Sequence, residues 1–297
     1  MNKYRIVYFS GTGCTALAAQ SLEKTLRERG CETGLTSIKT DGGGAVNSAD
    51  AGDGENSAGA LVLLFPVYAC TAPGPVMEWL ANLGKADGLP AAVISVSGGG
   101  EVSPNTAGRV SVVKALERKG YDVFCESFLV MPSNIAIATP EPLSVLLLQV
   151  LPDKVRALAD DLLSGGRKRK TPLFFDRVFA RIGKALRGYA KRWGRSTRVS
   201  ADCDGCGLCA GSCSCGNITM SDSKPGFGNK CCMCLGCFYA CPKGALTPKT
   251  AKSLNIKGFD LKAAAEKASV AERADAGQIR VGHVWAGVKS YLQGNEE

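Results

Sequence analysis

Cys203, Cys206, Cys209 and Cys213 recur 28 residues later as Cys231, Cys234, Cys237 and Cys241. No other feature limits the chain as strongly. The copies stay in register past the thiols, because Gly216, Ile218 and Thr219 return as Gly244, Leu246 and Thr247. A period of this kind marks one small structural unit used twice. Ten of the chain's 14 cysteines fall between Cys203 and Cys241. Residues 1–10 read as a strand and lack the basic, apolar and cleavage regions of an export signal. The expected compartment is therefore the cytoplasm, where clustered thiols bind metal more often than they form disulfides. Cys14, Cys31, Cys70, Cys125, Cys215 and Cys232 stand outside the repeated pattern and read as ordinary thiols.

Two metal readings are open at this point. Structural zinc needs two C-x-x-C pairs, four ligands to one ion. Two runs of C-x-x-C-x-x-C-x-x-x-C, the second closing on Cys241-Pro242, fit iron–sulfur cubes better. Steps of three residues wrap three thiolates around a cube while backbone amides turn inward. The chain then turns away at the proline, so the fourth ligand has to come from elsewhere.

The first 165 residues follow a different rule. Strand-like runs at 4–9, 32–38, 60–65, 91–96 and 123–130 alternate with helix-like segments at 15–29, 76–83, 106–119 and 143–163. Leu17, Leu22 and Leu26 fall at helical spacing, with Gly30 as a C-cap. The run 60–65 is continuously apolar, the mark of a central parallel strand. Residues 41–59 are rich in Gly, Asp, Ser and Ala and read as a surface loop. This alternation implies an α/β, doubly wound, five-stranded parallel sheet, with ligands beyond the carboxyl ends of its strands. Four segments result: a sheet domain at 1–165, a basic amphipathic linker at 166–199, a small domain at 200–250 around the repeat, and an extension at 251–297.

The charge is local. The chain carries 36 Lys and Arg against 27 Asp and Glu, and residues 167–198 hold 12 of the bases with a single acid, Asp176. The remainder, 24 bases and 26 acids, is nearly neutral, which argues against a nucleic-acid-binding protein. Within the linker Phe175, Phe179, Ile182, Leu186, Tyr189 and Trp193 recur at three- or four-residue steps, on one helix face. That face either packs between the two domains, the simpler expectation, or meets a membrane surface or an acidic partner. No apolar run is long enough to span a bilayer.

Three loops carry the ligand chemistry. Ser10, Gly11, Thr12, Gly13, Cys14 and Thr15 follow the first strand and open a helix. Backbone N–H groups converge there, and three hydroxyls can donate to phosphate oxygens. Without a Lys or Arg the loop is not a Walker A sequence. Gly11, Gly13 and Ala16 also match a dinucleotide fingerprint, with Asp41 as its ribose acid. The hydroxyls favour a terminal monophosphate, as on FMN. Pro66, Val67 and Tyr68, then Ala69 and Cys70, follow the third strand. Ser97, Gly98, Gly99 and Gly100 follow the fourth. A Tyr can stack on a flavin ring, and glycines admit backbone amides to its polar edge. His283, the only histidine, reads as a packing or surface residue, and no nucleophile elbow or HExxH sequence is present.

With Met131, Pro132, Ser133 and Asn134 after the fifth strand, these loops and the double cysteine run resemble the fused flavodoxin–ferredoxin family of anaerobic bacteria and archaea. The resemblance covers nearly the whole chain. It implies a flavodoxin-like domain binding FMN and a small α+β ferredoxin-like domain binding two [4Fe–4S] clusters. By position, Cys203, Cys206, Cys209 and Cys241 would hold one cluster, and Cys231, Cys234, Cys237 and Cys213 the other. Two positions depart from the pattern. Ser214 stands where the first run usually has Pro, and Cys14 stands where flavodoxins usually have Asn or another polar residue. Its place at a helix N-terminus should lower the Cys14 pKa. The implied function is electron transfer between the clusters and FMN, with an unidentified redox protein as partner. The alternatives are a flavin-dependent reductase fed by its own clusters and a zinc- and dinucleotide-binding module without redox chemistry.

Overall fold

A computed structural model describes residues 2–39, 59–133, 137–250, 259–279 and 282–294. Asp41, Asn134 and nearly all of the expected 41–59 loop lie outside these residues.

Five strands, β1 (Lys3–Tyr8), β2 (Glu32–Ser37), β3 (Ala60–Pro66), β4 (Pro90–Ser97) and β5 (Asp122–Val130), form one sheet in the order β2-β1-β3-β4-β5. Every neighbouring pair is parallel. This is the flavodoxin-like doubly wound order, with its switch point between β1 and β3. β3 is buried at all of its positions, as its unbroken apolar run requires for a central strand. β2, with the polar sequence ETGLTS, takes an edge.

Strand alternation divides the core in two. Tyr4, Ile6, Val62 and Leu64 point to the face covered by α1 (Cys14–Glu28) and α4 (Glu141–Ser164). Val7, Phe9, Leu61, Leu63 and Phe65 point to the other, under α2 (Gly74–Asn82) and α3 (Ala107–Arg118). The carboxyl ends of β1, β3, β4 and β5 therefore open at one edge between two rigid layers.

α5 (Phe174–Arg195) leads to the repeat, where β6 (Arg198–Val199), α6 (Leu208–Gly211), β7 (Ile218–Ser221), β8 (Lys224–Phe227), α7 (Gly236–Tyr239) and β9 (Leu246–Thr247) follow. β6 pairs with β9 and β7 with β8, both antiparallel. Trp193, Ile218, Leu235, Phe238 and Leu246 make a small core between these ladders. The 28-residue period is written in the backbone too. Gly205 and Gly207 have positive φ, and so do their counterparts Met233 and Leu235.

The extension, featureless in sequence apart from one helical stretch, folds back on the sheet domain. α8 (Leu261–Val270) lies against α4, with Leu261, Ala264 and Ala268 joining the first core. A short 3₁₀ turn (His283–Trp285) leads into α9 (Ala286–Gln293). Trp285, Val288 and Tyr291 pack on Phe128, Leu143, Leu146 and Leu147. Among the described residues no helix is long and apolar enough to cross a membrane.

Candidate functional site

At the carboxyl edge of the sheet four loops enclose a cleft. Ser10, Gly11, Thr12, Cys14 and Thr15 form its floor, residues 66–68 and 96–98 its walls, and residues 131–133 its far side. The N-terminus of α1 faces it with no acidic residue in the first turn and no side-chain cap. Its orphan N–H groups and aligned peptide dipoles favour an anion. Gly13 turns the chain into the helix at φ 102°, and its N–H donates to Ser10 Oγ at 3.1 Å. The enclosed volume is about 70 Å³. Hydroxyls, backbone amides and a space of that size fit the phosphate end of FMN.

The glycine loop after β4 is divided. Ser97 and Gly98 line the cleft, and Gly98 lies against Ser133. Gly99 and Gly100 do not reach it. Gly99 faces Asn105, and Gly100 packs against the backbone of Gly287 in α9. Asn105 Nδ2 donates to Gly100 O at 3.1 Å and fixes this outward turn. Met131, Pro132 and Ser133, which carried part of the family resemblance but were not among the expected cofactor-binding residues, line the cleft. Their place directly after β5 is the sequence feature that points to them.

Cys14 differs from expectation. Burial pushes its thiol up to about 12, against the lowering expected from the helix N-terminus. The side chain turns into the apolar core, and Sγ reaches Pro132 O only at 3.9 Å. Removing a thiolate from water outweighs the dipole. Cys14 should therefore resist iodoacetamide at pH 8 in the folded protein and react once the chain is unfolded in urea. Equal labelling before and after unfolding would contradict this environment. Tyr68 is likewise held well above its ordinary pKa by burial, so its hydroxyl keeps its proton.

The eight repeat cysteines line two cavities, and each cavity takes three thiols from one run and the last thiol of the other. Cys203, Cys206, Cys209 and Cys241 surround the first, beside Pro225 and Leu246. Cys231, Cys234, Cys237 and Cys213 surround the second, beside Trp193 and Phe238, and the two cysteines outside the repeat pattern, Cys215 and Cys232, line it as well. Asn217 N donates to Cys213 Sγ and Ala245 N to Cys241 Sγ, both at 3.3 Å and 28 residues apart. Amides aimed at sulfur are the arrangement that offsets thiolate charge. Burial raises the Cys231 and Cys237 thiols well above their ordinary range, so as free groups they stay protonated. Met233 and Leu235, within the second run, hold positive φ at 58° and 63°. Strained backbone of this kind persists where the surroundings impose it. Among the described residues no three His, Cys, Asp or Glu side chains stand close enough to hold one metal ion between them.

The second run rests directly on the phosphate loop. A Cβ at Gly11 would lie 2.4 Å from both Cys234 Cβ and Tyr68 Oη, so only glycine allows this approach. Ser214 Oγ donates to Ser10 O at 2.9 Å. Cys215 and Cys232, with their Sγ atoms 3.0 Å apart, are buried in the core beneath α2 and α3. Cys234 lines both the cleft and the second thiol cavity.

A larger cavity lies elsewhere. It occupies about 890 Å³ between α3 and α5, around Arg109, Arg169 and Asp176, and shares no lining residue with the cleft.

No protein-family model matches the chain, and no curated protein matches it. Among solved structures it is similar to a flavodoxin from the domain Archaea, at 14% identity and TM-score 0.35, over 54% of this chain and 99% of that one. It is similar to the flavodoxin of Streptococcus pneumoniae TIGR4, at 17% identity and TM-score 0.40, over 54% of this chain and 97% of the other. It is also similar to the flavodiiron protein of Giardia intestinalis, at 20% identity and TM-score 0.38, over 56% of this chain and 37% of that protein.

Proposed function

We propose that the chain is an electron-transfer protein that holds FMN in the cleft and a [4Fe–4S] cluster in each thiol cavity. The observation that carries this reading is the double position of Cys234, which borders the cleft and the second thiol cavity together. When bound, the clusters would exchange single electrons and the flavin one or two.

The chain's own part is placement and tuning. Ser10, Thr12, Thr15 and the first amides of α1 would bind the phosphate. Pro66, Val67, Tyr68, Ser97, Gly98 and residues 131–133 would flank the ring. Cys203, Cys206, Cys209 and Cys241 would hold one cluster, and Cys231, Cys234, Cys237 and Cys213 the other. Thiolates around a cube bind different irons, so they surround a space and need not meet at one point. The amides of Asn217 and Ala245 would stabilise the sulfur charge, and the protonated Tyr68 would add no negative charge beside Cys234. Cys206 is exposed, so the first cavity offers an approach for a redox partner protein. The reductase reading gains nothing from the 890 Å³ cavity, because that cavity does not border the cleft.

Anaerobic mixing of the full chain with a one-electron donor, followed at cluster and flavin wavelengths, tests the coupling. Both signals should relax together in the native chain. In a Cys234→Ala chain that still binds flavin, flavin reduction should fall behind by at least about tenfold. Flavin reduction at an unchanged rate in that variant would break the proposal.

A further inference from the structure

α5 is amphipathic, and it docks on the protein by the wrong side for its sequence. Its seat consists of Asp176, Gly183, Arg187, Ala190 and Gly194. Asp176 is buried, with Oδ1 accepting from Thr106 Oγ1 at 2.8 Å and Oδ2 from Leu173 N at 3.2 Å. Gly183 lies against Thr71 and Gly194 against Cys231. Arg187 Nη1 donates to Thr71 Oγ1 at 2.5 Å. The absence of side chains at the two glycines lets the helix lie close, and a cationic side chain is held in the contact.

The apolar row lies about a quarter-turn away. Phe175, Ile182, Leu186 and Tyr189 are separated by seven, four and three residues, which places them in one line. They are 65%, 47%, 37% and 38% exposed. Leu173 and Phe174, at the start of the helix but off this line, are also exposed, at 61% and 73%. Trp193, at the far end, enters a core, and Phe179 on the same face is half-buried. The simpler expectation, that this face packs against the protein, is met at Trp193 and in part at Phe179, and four of the six residues stay exposed. A row from 175 to 189 runs about 21 Å along the helix at about 1.5 Å per residue. Arg177, Arg181, Lys191, Arg192 and Arg195 are exposed on the side of the helix away from the row, and Arg177 and Arg181 border the cavity shared with α3. The only acid in 167–198 is the buried Asp176, so no carboxylate in this segment opposes an incoming anionic surface.

We infer that α5 is a membrane-interface helix that seats the protein on an anionic lipid surface. The row of Phe, Ile, Leu and Tyr enters the boundary between headgroups and acyl chains, and the arginines and lysines draw the helix to negative headgroups. An acidic protein would satisfy the charge but would leave a straight 21 Å row of apolar side chains in water, or need a matching groove. A bilayer satisfies both with its ordinary chemistry. The protein body is attached about a quarter-turn round the helix, and Thr250 meets the end of the row, with its Oγ1 3.2 Å from Tyr189 Oη.

Co-sedimentation of the full chain with vesicles of phosphatidylglycerol and phosphatidylcholine tests the inference. Binding should be strong at about 0.1 M salt and at least tenfold weaker at about 0.5 M. It should be weak on phosphatidylcholine alone. The double variant Phe175→Ser/Ile182→Ser, changed only at exposed positions, should lose at least about tenfold on the anionic vesicles while its flavin and iron content is unchanged. Arg177→Glu/Arg181→Glu should lose a similar amount. Failure of the native chain to bind anionic vesicles would overturn the inference and leave an acidic protein as the occupant. Binding lost in the charge variant but untouched in the apolar one would overturn it as well, since the contact would then be electrostatic alone.

Discussion

A Cys213→Ala chain should retain about four of about eight irons, and those lost should belong to Cys231, Cys234 and Cys237. Cys213 lies in the other run by sequence but in their cavity by structure. Pairing within each run predicts the opposite loss. Double variants separate the two, because substitutions in one site do not add while those in separate sites do. Adding Cys231→Ala to Cys213→Ala should leave the iron count near four. Adding Cys203→Ala instead should empty the remaining site too. The reciprocal substitution, Cys241→Ala, should abolish the site of Cys203, Cys206 and Cys209. Cys232→Ser should leave the iron count unchanged, because Cys215 and Cys232, although they line the second cavity, face one another and stand outside the eight repeat thiols.

Gly11→Val should separate the two halves of the molecule chemically while leaving each half folded. The new side chain would begin 2.4 Å from Cys234 Cβ and from Tyr68 Oη. Cys234 Cβ is fixed to its backbone, and Tyr68 ends in a rigid ring. Overpacking of this kind costs about 1–3 kcal/mol, which is about 5- to 150-fold in an equilibrium constant. The strain falls on the loop proposed to bind phosphate and on its contact with the second thiol cavity. Flavin affinity should drop by that factor, and the iron count should stay within error of the native chain. Gly34→Ala is the control, since a Cβ there meets nothing within 4 Å. Isothermal titration of flavin into the apo-flavin protein and iron analysis of the same samples read out both effects. Unchanged flavin affinity in Gly11→Val would mean that the loop and the cysteine run do not press on one another.

The sheet was legible because its signals are local. The unbroken ALVLLFP of β3 can only be a strand buried on both faces, and the polar β2 can only be an edge. The 28-residue period was legible too, and it survives in the backbone at Gly205 and Met233. What sequence did not give depends on contacts between distant segments. That Cys234 reaches the cleft depends on how the repeat settles on Gly11. Gly99 and Gly100 looked like cleft residues until α9 was found packed against them, and α9 had no role readable from its spacing alone. Cys14 was misjudged because its position at a helix N-terminus is visible in sequence and its burial is not. The exposed row on α5 was misassigned for a related reason. Amphipathic spacing shows which residues share a face, and only the seat at Gly183 and Gly194 shows that this face is turned away from the protein.

The central claim is that one chain holds a flavin and two cubane clusters side by side. Anaerobic purification of the full chain, followed by iron, acid-labile sulfide and flavin analysis, tests it most directly. The account predicts about eight irons, about eight sulfides and about one FMN per chain. Zinc in place of iron, or a pyrophosphate-containing ligand in place of FMN, would contradict it.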